Sequence, residues 1–283
     1  DFTKNFDDVV PSASIGYKLT DMSNLRLGYN MRIYRPGIWY LNPYLNDTDP
    51  SYIRQGNSEL DSEKSHAFNL SYSNFTQKFN INLSARYSFT NNSIENVTKL
   101  MPDTEIEGLK NPTGKDVLYS TYANIGKTRR ASVSAYVNWN ATPRTRIYMN
   151  MSGDYSYMEG SEGMRNDGWS LFAYGGAQQT LPHDWRISLN VFGQTPWIML
   201  QGKGSSFFDY GLSVNKSFLN KRLTLSAFAS NFFKKYMDQS STTEGAGFIR
   251  ESSYKYSRQR FGICVSYRSG EQKASVKKAA RPI

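Results

Sequence analysis

The amino-acid sequence predicts an all-β chain, folded as an antiparallel transmembrane β-barrel rather than as a soluble domain. Three observations carry that prediction. Apolar residues come one at a time, at every second position, in segment after segment. The chain is aromatic-rich, with 20 Tyr and 16 Phe, yet its mean hydropathy is −0.60, so its oily residues are not pooled in continuous core runs. Short turns alternate with long polar links along the whole length. No run approaches the roughly 18 apolar residues of a spanning helix. A barrel strand needs only about 9–11 residues and turns every second side chain to lipid.

The alternation is cleanest near the C-terminal end. Phe261, Ile263, Val265 and Tyr267 fall on one face, and Gly262, Cys264, Ser266 and Arg268 on the other, because strand side chains alternate faces. Trp185, Ile187, Leu189 and Val191 likewise oppose Arg186, Ser188, Asn190 and Phe192. Phe79 to Phe89 oppose Asn80 to Thr90 in the same way, and Leu25, Leu27, Tyr29, Met31 and Ile33 oppose Arg26, Gly28, Asn30, Arg32 and Tyr34. A helical period fits none of these segments.

Eleven strands follow, at 12–19, 24–35, 64–74, 78–99, 116–140, 144–157, 168–181, 184–195, 206–218, 222–235 and 246–268. The short turns fall at 20–24, 75–78, 141–144, 181–184 and 219–222, and the long links at 36–63, 100–115, 158–167, 195–205 and 236–245. Short turns on one rim and long loops on the other are the wiring of an outer-membrane barrel, with the short turns periplasmic and the long loops extracellular. A soluble sandwich does not need this regularity. A chain that enters and leaves on one side needs an even strand number. Eleven is odd, so at least one further strand is expected before Asp1, making residues 1–268 the C-terminal part of a larger barrel. Residues 269–283 read as a basic periplasmic tail.

The net charge of +10 raises nucleic acid as a partner. The basic residues are scattered through alternating strands, which argues against it; only 273–281 concentrates them. One cysteine, Cys264, excludes an intrachain disulfide and a cysteine metal cluster.

Several segments carry a resemblance. Arg35-Pro36, Leu41 to Pro43, Asp49-Pro50, Arg54 to Asn57, Leu60 and Glu63, then Ser65-His66 and a new strand, make one pattern in the first long link. Thr121 to Gly126, and the ending Arg260 to Arg268 before a Lys-rich tail, make two more. Together they resemble the outer membrane protein β-barrel family, which is related to TonB-dependent receptors. The family often has Phe after the final Tyr-Arg pair, where this chain has Ser269. The resemblance implies a 22-stranded barrel of which eleven strands are half, with an N-terminal plug and a TonB-contacting segment upstream of Asp1. It implies ligand uptake across the outer membrane, energised through TonB. The alternatives are a barrel subunit of a surface or assembly complex without transport, and a diffusion porin. Expected partners are outer-membrane lipid and lipopolysaccharide, the plug and remaining strands, TonB and a surface lipoprotein; no nucleic acid and no cofactor are expected.

The sequence offers little catalytic chemistry. His66 and His183 are the only histidines, and neither sits in a nucleophile-elbow context, so no enzyme activity, catalytic residue or metal site is expected. Cys264 reads as a small lumen-facing residue. Asp103, Glu105 and Glu107 alternate as if on one strand face; calcium is conceivable there, but a solvated loop is the better reading. Arg26, Arg32, Arg86, Arg146 and Arg186 are more informative. On the lipid face near the midplane each costs about 2–4 kcal/mol, so they are assigned to the lumen. There they either hold an anionic substrate or the acidic side of a plug, or pair with Asp and Glu across the lumen. Tyr17, Tyr29, Tyr72, Trp139, Tyr155, Trp169 and Trp185, near strand ends, suit the interfacial girdles. Trp39, Tyr40 and Tyr44, in the first long link, either stack on a flat ligand or pack that link down on itself.

Overall fold

A computed structural model describes residues 9–269; the tail assigned to 269–283 lies, beyond Ser269, outside the described residues. Eleven strands form one antiparallel sheet in sequence order. They are β1 (Ser12–Thr20), β2 (Ser23–Tyr34), β3 (Glu63–Phe75), β4 (Phe79–Pro102), β5 (Asp116–Thr142), β6 (Thr145–Glu159), β7 (Arg165–Leu181), β8 (Trp185–Gln194), β9 (Phe207–Phe218), β10 (Leu223–Ser230) and β11 (Arg260–Tyr267). Each predicted strand has its counterpart. β1 and β11 each have a single neighbour among the described residues, so the sheet is open. In hydrocarbon, unpaired edge amides cost several kcal/mol each, and an open sheet of this kind is part of a larger barrel.

The faces divide as the alternation predicts. Leu27, Leu83, Val133, Met151, Leu171, Leu189, Leu225 and Ile263 are all exposed, as expected of a wall that meets lipid on its apolar face. Aromatic belts border that face. Near the short turns stand Phe79, Trp139, Trp185 and Phe218, with the Lys216 ammonium 5.5 Å from the Trp185 ring. Near the long links, Tyr29 lies 5.2 Å from Phe68, His66 stacks on Phe89 at 4.8 Å, and Tyr155 tilts against Trp169 at 5.4 Å. Phe79 and Phe89 sit about ten residues apart on β4, which at about 3.4 Å per residue and a tilt near 40° gives a band about 25 Å tall.

β4 and β5 run well past this band, and the long links fold onto them as a crown. Here, among the described residues, lie two buried apolar clusters: Ile53, Ile106 and Val117 in one, Met158, Ile198 and Leu200 in the other. The wall itself contributes almost no buried apolar residue, since its partner is lipid. Within the first link a helical turn, Ile38–Leu41, precedes strands Leu45–Asn46 and Tyr52–Gln55, and Tyr52 to Arg54 pair in parallel with Leu118 to Ser120 of β5.

The largest departure from the sequence reading concerns 222–268. The strand expected at 246–268 is two elements: only Arg260–Tyr267 joins the wall. Phe248–Ser257 instead pairs with Tyr236–Gly245, a segment read as a link, in a separate four-stranded sheet with Ile198–Met199 and Gly202–Lys203. The physical reason is visible in composition. Neither face of 248–257 is apolar, as Ile249, Glu251, Ser253 and Lys255 oppose Phe248, Arg250, Ser252 and Tyr254, so neither face can meet hydrocarbon. β10 accordingly stops at Ser230, and the chain turns at Asn231 with a φ of 48°.

Candidate functional site

Two regions carry the side chains singled out by the sequence. The first is the crown. Gly56 must be glycine because a Cβ there would lie 2.2 Å from the Asn42 carbonyl oxygen. Its N–H donates to that same oxygen at 3.1 Å, and the Asn57 N–H donates to the Tyr40 carbonyl at 2.7 Å. The Asn57 side-chain amide reaches across to the Tyr122 carbonyl at 2.8 Å, while Tyr119 Oη donates to Gln55 Oε1 at 2.7 Å. Asn124 closes the clamp by accepting from the Asp61 N–H at 2.7 Å and donating to the Asp61 carbonyl at 3.0 Å. Segments 54–63 and 121–126, noted separately in the sequence, are thus two halves of one lock.

That lock divides the three aromatic candidates. Tyr40 packs edge-on against Tyr122 at 4.6 Å, so it holds the link down. Trp39 is 85% and Tyr44 72% exposed, and both project from the crown. Beneath them Glu63 accepts from the Ile94 N–H and Glu95 accepts from Ser93 Oγ at 2.8 Å. Burial pushes both carboxyls above their ordinary range.

Asp103, Glu105 and Glu107 do not share a strand face. Asp103–Glu105 is a 3-10 turn, and Asp103 is buried rather than solvated. Its carboxylate accepts from the Thr113 N–H at 2.6 Å, Thr113 Oγ1 at 2.7 Å and the Gly114 N–H at 2.7 Å. The backbone N–H of Thr113 foremost holds its pKa below the usual carboxylate range. Asp103 ties off its own loop.

The second region is the polar face of the wall. Arg26, Arg32 and Arg86 border one recess of about 450 Å³ with Ser14, Asn30 and Asn69. Among the described residues none of these three arginines forms an ion pair. Arg146 stands apart, donating from Nε to Asn138 Oδ1 at 2.6 Å, and Arg186 borders a different recess near the short turns with Gln178, Asp184 and Asn215.

The polar face also holds an aromatic ledge that the sequence reading passed over. Tyr148, Tyr174, Phe192 and Phe207 run across β6 to β9 with centroid spacings of 5.8, 6.4 and 4.4 Å. Phe172 joins at 5.3 Å from Phe192. Tyr148 lies over Gly176, its cross-strand partner, where a Cβ would meet the phenol oxygen at 2.6 Å. Beside the ledge Asp209 pairs with Arg258, whose guanidinium sits 5.5 Å from the Phe207 ring. The signal was present: in these strands the supposedly polar positions include Tyr148, Phe172, Tyr174 and Phe192.

His66 is a belt residue, with Nδ1 2.8 Å from Tyr29 Oη. Cys264 keeps the side predicted for it, opposite Ser226 in the ladder, and is exposed.

Comparison with known proteins fits this geometry. The family described as outer membrane protein beta-barrel family matches residues 1–267. No curated protein matches the chain. Among solved structures, the siderophore receptor PirA from Pseudomonas aeruginosa matches at a TM-score of 0.58 and 17% identity, over 80% of this chain and 39% of that one. The copper transporter OprC matches at 0.59 and 14%, over 90% and 39%. A mutant of the ferric enterobactin receptor PfeA, also from P. aeruginosa, matches at 0.58 and 16%, over 91% and 40%. At such identities the likeness is one of fold. The chain spans about two fifths of the length of each of these structures.

Proposed function

We propose that this chain, which belongs to the outer membrane protein beta-barrel family, is the C-terminal wall of an outer-membrane transport barrel that takes up a ligand. The observation that carries the reading is the two-faced open sheet: apolar residues exposed on one side, recesses lined by charge and aromatics on the other. Such a sheet can close only with further strands, and its inner face is equipped to contact something inside. Likeness in fold to structures titled as receptors and a transporter supports the same reading.

In this reading the long links face outward, the short turns and the 269–283 tail face the periplasm, and lipopolysaccharide surrounds the outer belt. The remaining strands and a plug complete the barrel, TonB supplies energy through the plug, and no bond is made or broken. The exposed crown tip of Ile38, Trp39 and Tyr44 favours a second reading, a subunit that docks a surface lipoprotein in an assembly complex. Growth of a deletion strain on a panel of nutrients, with and without functional TonB, separates the two. Loss of growth on one nutrient in both the deletion strain and the TonB-deficient strain is expected. Unimpaired growth on every nutrient, together with co-purification of a lipoprotein that Trp39→Ala releases, would transfer the case to the second reading.

A further inference from the structure

We infer that the recess bordered by Arg26, Arg32 and Arg86 binds a multiply charged oxyanionic solute, of the polycarboxylate or phosphate-bearing class, inside the barrel. The inference rests on the transport reading of the wall and names the chemistry that one part of that wall selects.

The recess is built by the local sequence. On the polar face it is lined by the small residues Ser12, Ser14, Gly28 and Ser71 and by the long arms of Arg26, Arg32 and Arg86. The strand ladder sets this contrast, because Gly28 pairs with Ser14 on one side and Asn69 on the other, and Asn69 pairs in turn with Arg86. Depth therefore comes from glycine and serine set among arginines, and the resulting volume, about 450 Å³, suits a small solute.

Its chemistry points one way. Guanidinium groups donate and never accept. Asn69 Nδ2 donates to Asn30 Oδ1 at 3.0 Å, which leaves the Asn30 amide N–H groups available beside them. No Asp or Glu lines the recess. Among the described residues no acid on this stretch of wall forms an ion pair with these three arginines. Glu63 is bound to the Ile94 N–H, Glu95 to Ser93, and Asp154 stands across Ser132 on the far side of β5, about 10 Å from Arg86 by strand spacing. Three guanidiniums that form no ion pair among the described residues, set among further donors, are the arrangement that oxyanions satisfy bidentately.

The test uses the longest natural polypeptide that contains this chain, purified as the folded barrel, with citrate as probe and its neutral trimethyl ester as control. Calorimetry is expected to show citrate binding that weakens with salt, and no binding of the ester. Arg32→Gln with Arg86→Gln should weaken citrate about tenfold or more, whereas Arg144→Gln, in an exposed turn, should leave it within about twofold. If the double Gln variant fails to fold, judged by lost heat-modifiable gel mobility, Arg32→Lys with Arg86→Lys replaces it, and a severalfold weakening is expected because Lys cannot grip bidentately. Absence of citrate binding, or unchanged binding in the variants, overturns the site. So does a Gln variant that instead releases a lumenal segment to protease in a protein that ignores citrate, since the counter-charge is then acidic polypeptide. Failure of the growth test with citrate binding intact would remove the transport reading while leaving the site.

Discussion

The Asn231 side-chain amide donates to Asp209 Oδ1 at 2.7 Å, and this bond joins the point where β10 leaves the wall to the strand beside it. Asn231 also accepts from the Tyr210 N–H at 3.2 Å and donates to the Arg258 carbonyl at 3.3 Å. Residues 231 and 258 are the exit and return points of the 236–257 hairpin, so one side chain fixes both ends. Its φ of 48° is the left-handed region that Asn tolerates and most residues do not.

Asn231→Ala should therefore loosen the hairpin without unfolding the wall. The lost bonds and the strained φ together amount to about 2–4 kcal/mol of local stability. Hydrogen exchange across 236–257 is the measurement. Faster exchange is expected there and not in β8, with Asn231→Gly intermediate because it relieves the backbone but restores no bond. Equal protection in Asn231→Ala and the parent protein would remove Asn231 from this role.

The wall was legible in the sequence because lipid imposes a period of two on every strand. That constraint is local, so Leu25 to Ile33 and Phe79 to Phe89 reveal their faces one residue at a time. It ends where the membrane ends. Residues 248–257 are as extended as the wall but meet water and other links, and nothing in their composition tells a barrel strand's continuation from a hairpin beyond it, except that neither face is oily. The crown was opaque for another reason. The contacts of Gly56 with Asn42, Asn57 with Tyr122 and Asp103 with Thr113 join residues by close approach rather than by periodicity. The resembling segments 54–63 and 121–126 are joined by such contacts into one lock. The grouping of Arg26, Arg32 and Arg86 apart from Arg146 and Arg186 required the ladder.

Adjacent positions on β6 offer a direct measure of the two faces. Met151 lies on the apolar face, level with Ala135 and Ala173, and Ser152 on the polar face, level with Ser134 and Phe172. Met151→Arg should cost about 2–4 kcal/mol of folding free energy in lipid bilayers. Ser152→Arg should cost well under half of that, since the lumen is wet and Asp154 is two residues away. Denaturant titration of bilayer-inserted protein reads both, and equal costs would contradict the assignment of faces.

The crown should respond to pH through Glu63 and Glu95 in one sense and Asp103 in the other. Burial raises the folded-state pKa of Glu63 and Glu95, so ionising them opposes folding. Their unfavourable contribution is present above the raised values and is relieved as pH falls through them toward the unfolded-state range. Asp103 is depressed; its stabilisation is present above the unfolded-state value and disappears as pH falls through the folded one. After correction for intrinsic rates, exchange protection at 93–97 should therefore increase on acidification from neutral pH, and Glu95→Gln should flatten that dependence. Protection at 103–114 should fall only under stronger acid. A parallel response of the two segments would argue against these opposite shifts.

The final prediction fixes the direction of the whole wall. Asp47 and Asn111 lie in long links, and Asn220 lies in the turn from β9 to β10, where Leu219, Asn220 and Lys221 all take positive φ. Cys264 is exposed, so it must first become serine, which its place opposite Ser226 should tolerate. In that background, Asp47→Cys and Asn111→Cys should react with a membrane-impermeant maleimide on intact cells, and Asn220→Cys should react only after the outer membrane is permeabilised. The physical reason is economy of backbone: a turn that only joins two strands needs a few residues, whereas links that fold on one another need tens, and such links belong on the side where a ligand or a surface partner is met. Labelling of Asn220→Cys on intact cells, with the other two protected, would invert the wall. The recess of Arg26, Arg32 and Arg86 would keep its chemistry, but the crown, with Trp39 and Tyr44 at its tip, would then face the periplasm and could not serve in capture.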